Sequence, residues 1–454
     1  MTGLFRGLIG KRRDRGLAVD EAPFVGEIFS VEHLEQHAAL ISAEHQIFIG
    51  RGRGRTLLTR LADNQHVLIN AYETLADAIR RERSLSPAAE WLVDNFHLVE
   101  EQLREIREDL PEGYYRELPK LKEGELADYP RIYAIALAVI SHTDCRLDAD
   151  TLKRFLHAYQ REAPLCIGEL WAFAITLRIA LVENLRRLAA RIVAAREQRD
   201  AANALADRLL EQFGQTPHEL ISFVSKRVLD APDPAFVVQL TQRLHDQDPG
   251  IALVLDWLDR QVALKGQSTG QIVQLEHQSQ AATQVTVANI ITSMRLLSTL
   301  DWREFFESVS LIDPLLSSDP GGAYALMDFA TRDRYRHVIE LLSRRTGIAE
   351  LDIARRALQL AQRAQQSVPQ NEASAHVGYY LIDQGLADLE RAVAFEPCIS
   401  ERAVRLVLRH PTLAYLGSIV IVTVLLIALL VFYADHSGAK ASLSAVLAFL
   451  TPSP

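Results

Sequence analysis

The stretch Leu413 to Tyr433, LAYLGSIVIVTVLLIALLVFY, holds no charged residue, and it constrains what the rest of the chain can fold into. As a helix it would run roughly 31 Å at 1.5 Å per residue, the thickness of a bilayer core of about 30 Å. In hydrocarbon a single segment satisfies its own backbone groups only as a helix. The stretch therefore predicts a C-terminal transmembrane helix over 411–435, with the lipid bilayer as its partner. Arg402, Arg405, Arg409 and His410 precede it, and Asp435 and Lys440 follow. The basic excess on the N-terminal side predicts that this side is cytoplasmic.

Ahead of that stretch stand about 410 residues, enough by length for two or three domains. Almost half of the chain is apolar, so a sizeable core can form, and a net charge of −9 argues against general nucleic-acid binding. Cys145, Cys166 and Cys398 lie far apart and form no metal spacing or disulfide framework; three buried small apolar side chains explain them better. The N-terminal apolar run is too short and too interrupted by Arg6 for a signal peptide. The cluster Lys11, Arg12, Arg13 and Arg15 could touch anionic lipid, but such clusters are more often solvated starts.

Between these ends the chain reads as helix after helix. Helices are predicted over Val31 to Gln46, Thr56 to Arg83 and Ser86 to Leu110. The last has Ser86 at the N-cap, Pro87 at the first helical position and a stripe of Leu92, Phe96, Val99, Leu103, Ile106 and Leu110. Tyr114 to Pro130 is a loop. Short helices follow over Arg131 to Ser141 and Asp150 to Arg161. Glu169 to Phe213 holds neither Gly nor Pro and predicts one very long helix, or two sharing a direction. Its Arg178, Arg186, Arg187 and Arg191 are expected on an exposed charged face. Further helices are predicted over Thr216 to Leu229, Pro234 to Asp246, Ile251 to Leu264, a Gln- and Thr-rich Gln271 to Leu300, Arg332 to Arg345, Glu350 to Gln365 and His376 to Ala394. Gly347 suits the C-cap of the Arg332 helix. No run alternates as a strand would, and no fixed-period repeat is visible. The expected fold is all-α, a cytoplasmic multi-helix region followed by the transmembrane helix. The expected divisions are 1–55, an N-terminal segment and basic linker; 56–166, a first helical region; 167–410, a second with the long helix; 411–435, the span; and 436–454, a periplasmic tail.

Four groups of residues invite a chemical reading. The run Gly50 to Arg55, GRGRGR, could cradle phosphate, but it matches no phosphate-loop pattern and a flexible basic linker explains it better. Asp148 and Asp150 form a D-x-D of the kind that holds a divalent metal, yet no strand precedes them, and two acids at a helix start suffice. Glu100, Glu101, Glu105 and Glu108 interleave with Arg104 and Arg107, as on a solvated face. His142 lies near Asp144 and Cys145, where a helix-end histidine making one hydrogen bond is the ordinary explanation. No catalytic, cofactor-binding or metal-binding residue is assigned.

Five long segments carry a resemblance. They are Ser86 to Leu121 (SPAAEWLVDNFHLVEEQLREIREDLPEGYYRELPKL), Ile167 to Ala189 (IGELWAFAITLRIALVENLRRLA), Ala288 to Glu307 (ANIITSMRLLSTLDWREFFE), Asp319 to Leu342 (DPGGAYALMDFATRDRYRHVIELL) and His376 to Val393 (HVGYYLIDQGLADLERAV). Together they resemble the N-terminal region of the cyclic β-1,2-glucan synthases, large bacterial inner-membrane enzymes. The resemblance implies glucose polymerisation from UDP-glucose, with a divalent metal, by a transferase domain that lies after the matched region. It also implies a phosphorylase-like domain as a further partner. It carries no catalytic residue onto this chain, so whether the chain is itself an enzyme stays open. Ala441 to Leu450 begins a second apolar stretch too short to span, which leads us to expect a truncated or split synthase. The alternative is a free-standing, membrane-anchored helical module that binds another protein.

Overall fold

The computed structural model describes residues 21–48, 57–109, 115, 117–211, 233–245, 249–264, 266–367, 372–398, 402, 404 and 411–436. The Lys11 to Arg15 cluster, the Gly50 to Arg55 run, Leu110, the helix expected over 216–229, Arg405, Arg409, His410 and the Ala441 to Leu450 stretch lie outside the described residues.

Helices dominate. In chain order they are α1 (Val31–Glu44), α2 (Leu57–Arg80), α3 (Pro87–Asp94), α4 (Phe96–Asp109), α5 (Arg131–His142), α6 (Ala149–Gln160), α7 (Ile167–Glu211), α8 (Pro234–Leu244), α9 (Pro249–Ala263) and α10 (Thr269–Thr299). Then come α11 (Trp302–Val309), α12 (Ile312–Ser317), α13 (Phe329–Thr346), α14 (Glu350–Ser367), α15 (Val377–Ile382), α16 (Leu386–Ala392) and α17 (Pro411–His436). The only described strands are two residues each, Ile47–Phe48 against Lys120–Leu121, antiparallel. The all-α expectation holds.

The long Gly- and Pro-free segment lies, as far as Glu211, in one helix of 45 residues, α7, roughly 68 Å from end to end. Its first half, 167–189, is buried on every side, as a helix at the centre of a bundle must be. Around that half pack α2, α4, α5, α10, α11 and α13. They form the main core, which includes Phe173, Leu177, Leu181, Leu185, Ile290, Met294 and Phe306. A second, smaller core gathers Ala202, Leu205 and Leu209 from the far end of α7 with α8, α9 and Ile272 of α10. Thus α7 and the 31-residue α10 both run from one core to the other. Between the cores, residues 194–201 of α7 and 274–285 of α10 belong to neither.

Local signals set the helix ends. Ser268 opens α10 with a capping box: its hydroxyl accepts from Gln271 N–H while the Gln271 side chain accepts from Ser268 N–H. Gly347 closes α13 at φ 73°, a left-handed conformation that a Cβ would strain. Ser86 holds the N-cap position of α3 and Pro87 follows, but the Ser86 side chain makes no cap bond. The predicted single helix over Ser86 to Leu110 is broken at Asn95, whose side-chain amide donates to the Trp91 carbonyl at 2.9 Å. An Asx side chain that bonds its own backbone competes with the helix ladder. The apolar stripe survives the break: Leu92, Phe96, Val99, Leu103 and Ile106 are all buried. His376 to Ala394 is likewise two short helices rather than one.

The C-terminal expectation needs correction. Pro411–His436 does form one helix, α17. Among the described residues, however, no helix is long and apolar enough to cross a membrane. The large apolar side chains of α17, Leu416, Val420, Leu425 and Leu429 among them, are exposed.

Candidate functional site

The arginines expected on an open face of the long helix are instead mostly buried. Arg178, Arg186 and Arg187 are at most 7% exposed, and only Arg191 is open. A guanidinium can be buried if carboxylates pair with it, and α7 supplies one. Glu183, fully buried, receives Arg60 of α2 through Nε at 2.6 Å and through a second, shorter contact, Asn64 at 3.0 Å and Arg187 at 3.0 Å. Glu21 pairs with Arg186, Arg187 and Arg60 from the other side. Burial alone would raise the Glu183 carboxyl; the hydrogen bonds and charge of Arg60, with Arg187 and Asn64, outweigh it and hold it at about 2. The network fastens the extended segment 21–29 over α7. Arg187 donates to the Ala22 carbonyl and lies 3.9 Å from the Phe24 ring, and Asn184 accepts from Phe24 N–H at 2.7 Å. These residues are consumed in holding the fold.

Of the residues singled out as possible chemistry, Asp148, Glu105, His142, Asp144 and Cys145 are likewise engaged within the fold. Asp148 caps α6, accepting from Thr151 N–H at 2.9 Å, and Asp150 sits in that helix's first turn. Glu105 pairs with Arg178 at 2.9 Å, while Arg104 is exposed. His142 ends α5, bonds the Glu27 carbonyl at 2.8 Å through Nδ1 and stacks on Phe29 at 4.1 Å. Asp144 takes up Thr286 and Asn289 of α10, and Cys145 receives Asn184 at 3.1 Å; the three do not converge. Cys145 is buried, Cys166 is half-buried and Cys398 is exposed, so the expectation of three buried thiols fails at the last. Among the described residues no three His, Cys, Asp or Glu side chains group so as to hold a metal ion. The described residues therefore do not fit the divalent metal that the synthase resemblance implies, and no step is derived through it. If Asp148 is only a cap, Asp148→Ala should lower stability by about 1 kcal/mol, measured by urea denaturation, and divalent cations should leave the unfolding midpoint of both proteins unchanged.

One concave region has side chains to spare. It follows α7 over 191–203, between the two cores. The corner after α2 and the start of α3 form one wall, and α8 and α10 form the other. Two openings of about 480 and 290 Å³ share Ser86, Pro87, Ile192, Arg199 and Gln280. A third, of about 640 Å³, continues past Arg196 and Asp200 to the end of α2. Asp200 receives Arg83 at 3.1 Å and Arg196 at 3.8 Å. Asn203 accepts from Gln239 at 2.9 Å, and Glu276 accepts from Gln280 at 2.8 Å. Arg199 is half-buried and has no partner among the described residues. Of this lining, Ser86 and Pro87 stood out in the sequence as a helix start, Arg191 as a charge on the long helix, and α10 by its Gln-rich character. The signal that could have found the rest is spacing: Arg196 and Arg199 share a face of α7, and Gln280 and Gln284 share one of α10.

The described residues thus form an all-α body built round a 45-residue helix, with a candidate groove beside that helix between two cores. No family model matches this chain. Over 377 residues it is 32% identical to "Cyclic beta-(1,2)-glucan synthase NdvB" of Rhizobium meliloti (strain 1021), a match that covers 83% of this chain and 13% of that protein. The chain is thus a region related to cyclic β-1,2-glucan synthase, and it spans about an eighth of the length of the curated relative it matches.

Proposed function

We propose that the chain is the N-terminal helical region of a cyclic β-1,2-glucan synthase. It serves as a scaffold for synthesis while a separate transferase part, using UDP-glucose and a divalent metal, makes the bonds. The observation that carries this is the 32% identity along 83% of the chain. The buried charge networks and helix caps support it, since they commit the acidic residues here to the fold rather than to donor binding. The partners that go with this reading are the transferase and phosphorylase-like parts of the same synthase. The location is the bacterial inner membrane, with the helical body on the cytoplasmic face. The exposed apolar side chains of α17 supply a surface for the rest of such an assembly.

Co-expression with the transferase part of a cyclic glucan synthase tests the proposal. The two should copurify in detergent. Recovery of the transferase part alone, with full synthesis of cyclic glucan and none of this chain bound, would overturn it.

A further inference from the structure

We infer that the groove along residues 191–203 of α7 binds a neutral, polyhydroxylated chain, an oligosaccharide. The charges that line the two joined openings balance: Arg191, Arg196 and Arg199 face Asp200, Asp233 and Glu276. A free anion gains little here: Asp200 already pairs with Arg196, and an anion held by Arg199 would also meet Asp200, Asp233 and Glu276 in the same lining. A metal cation would meet three guanidiniums. An apolar ligand would strand the polar lining without partners, at the cost that burying any unmatched polar group carries.

Hydroxyl groups fit where those ligands do not. Each sugar hydroxyl both donates and accepts, and so does each amide. Asn203, Gln239, Gln280 and Gln284 bring four amides to the groove from α7, α8 and α10. Arg199 lies in both openings and offers a planar donor fork that no described side chain uses. The openings share Ser86, Pro87, Ile192, Arg199 and Gln280 and together offer more room than either alone, which suits a run of linked sugars better than a single one. No Trp, Tyr or Phe lines either opening among the described residues, so hydrogen bonds carry the affinity.

The inference deepens the proposed function and rests on it only for the choice of probe, a linear β-1,2-linked glucan oligosaccharide. Amide hydrogen exchange is followed on the full chain with and without that probe, and separately with inorganic phosphate and with UDP. The glucan should slow exchange within 191–203 and 276–284, and the two anions should not. Arg199→Met keeps the length of the side chain and removes the fork; it should weaken protection about tenfold. Gln284→Leu, on the opposite wall, should do the same if Arg199→Met lowers the unfolding midpoint. No slowing with the glucan, or slowing with phosphate or UDP in its place, would overturn the inference. Either result would leave copurification with the transferase part intact, so failure of the groove and failure of the scaffold role are told apart.

Discussion

Glu183→Gln is expected to destabilise the protein by about 3–5 kcal/mol at neutral pH, the range for removing one partner of a buried ion pair. The amide keeps the size of the carboxylate and can still meet Asn64. It leaves Arg60, Arg186 and the fully buried Arg187 with Glu21 as their only nearby acid in the network. The sign of the pH dependence follows from the same network. The Glu183 carboxyl is held at about 2, below its ordinary 4.5, so its contribution is fully present above about 4.5 and is lost as pH falls through about 2. Across that window the linkage is worth roughly 3 kcal/mol. Urea denaturation should therefore show a large gap between wild type and Glu183→Gln at pH 7 and a much smaller one near pH 2. Equal gaps at both pH values would mean that the carboxylate charge is not what the arginines require.

The second large effect has the opposite sign. Glu350 opens α14, and its Oε2 accepts from Ile167 N–H at 2.7 Å, so it closes the N-terminus of α7 from a distant part of the chain. Burial pushes this carboxyl up to about 7; the Ile167 N–H pulls it down, while Glu340 and Glu169 push it further up. An acid raised in the folded state binds its proton more tightly there than in the unfolded chain. Wild-type stability should then fall as pH rises from about 4.5 to about 7 and level off above, a loss of roughly 3 kcal/mol. Glu350→Gln keeps an acceptor for Ile167 N–H and has no charge to bury. It should flatten that slope and be the more stable protein at pH 8. A variant less stable than wild type at pH 8 would show that the ionised carboxylate is favoured at the helix start.

Periodicity carried most of the fold. The stripe from Leu92 to Ile106 and the Gly- and Pro-free run of α7 were legible because apolar residues at helical spacing have few alternatives. What stayed hidden depended on partners far away in the chain. Nothing near Arg187 announces that Glu21 and Arg60 will join it, so its burial could not be read from charge pattern alone. The kink at Asn95 rests on one side-chain bond to Trp91, a competition that spacing does not register. The C-terminal helix was legible as a helix, and its reading as a span was not upheld, since no described helix is long and apolar enough. The groove was invisible for the same reason as the ion network: its walls come from α3, α7, α8 and α10, and each wall taken singly is an ordinary polar helix face.

The central claim is that this helical region serves cyclic β-1,2-glucan synthesis, and one measurement bears on it most directly. Membranes from a bacterium that carries this chain are supplied with radiolabelled UDP-glucose, and cyclic β-1,2-glucan is quantified with the coding region for residues 1–454 intact, deleted, or deleted and restored in trans. Loss of cyclic glucan on deletion and its return on restoration is the predicted result. Undiminished cyclic glucan after deletion would contradict the account.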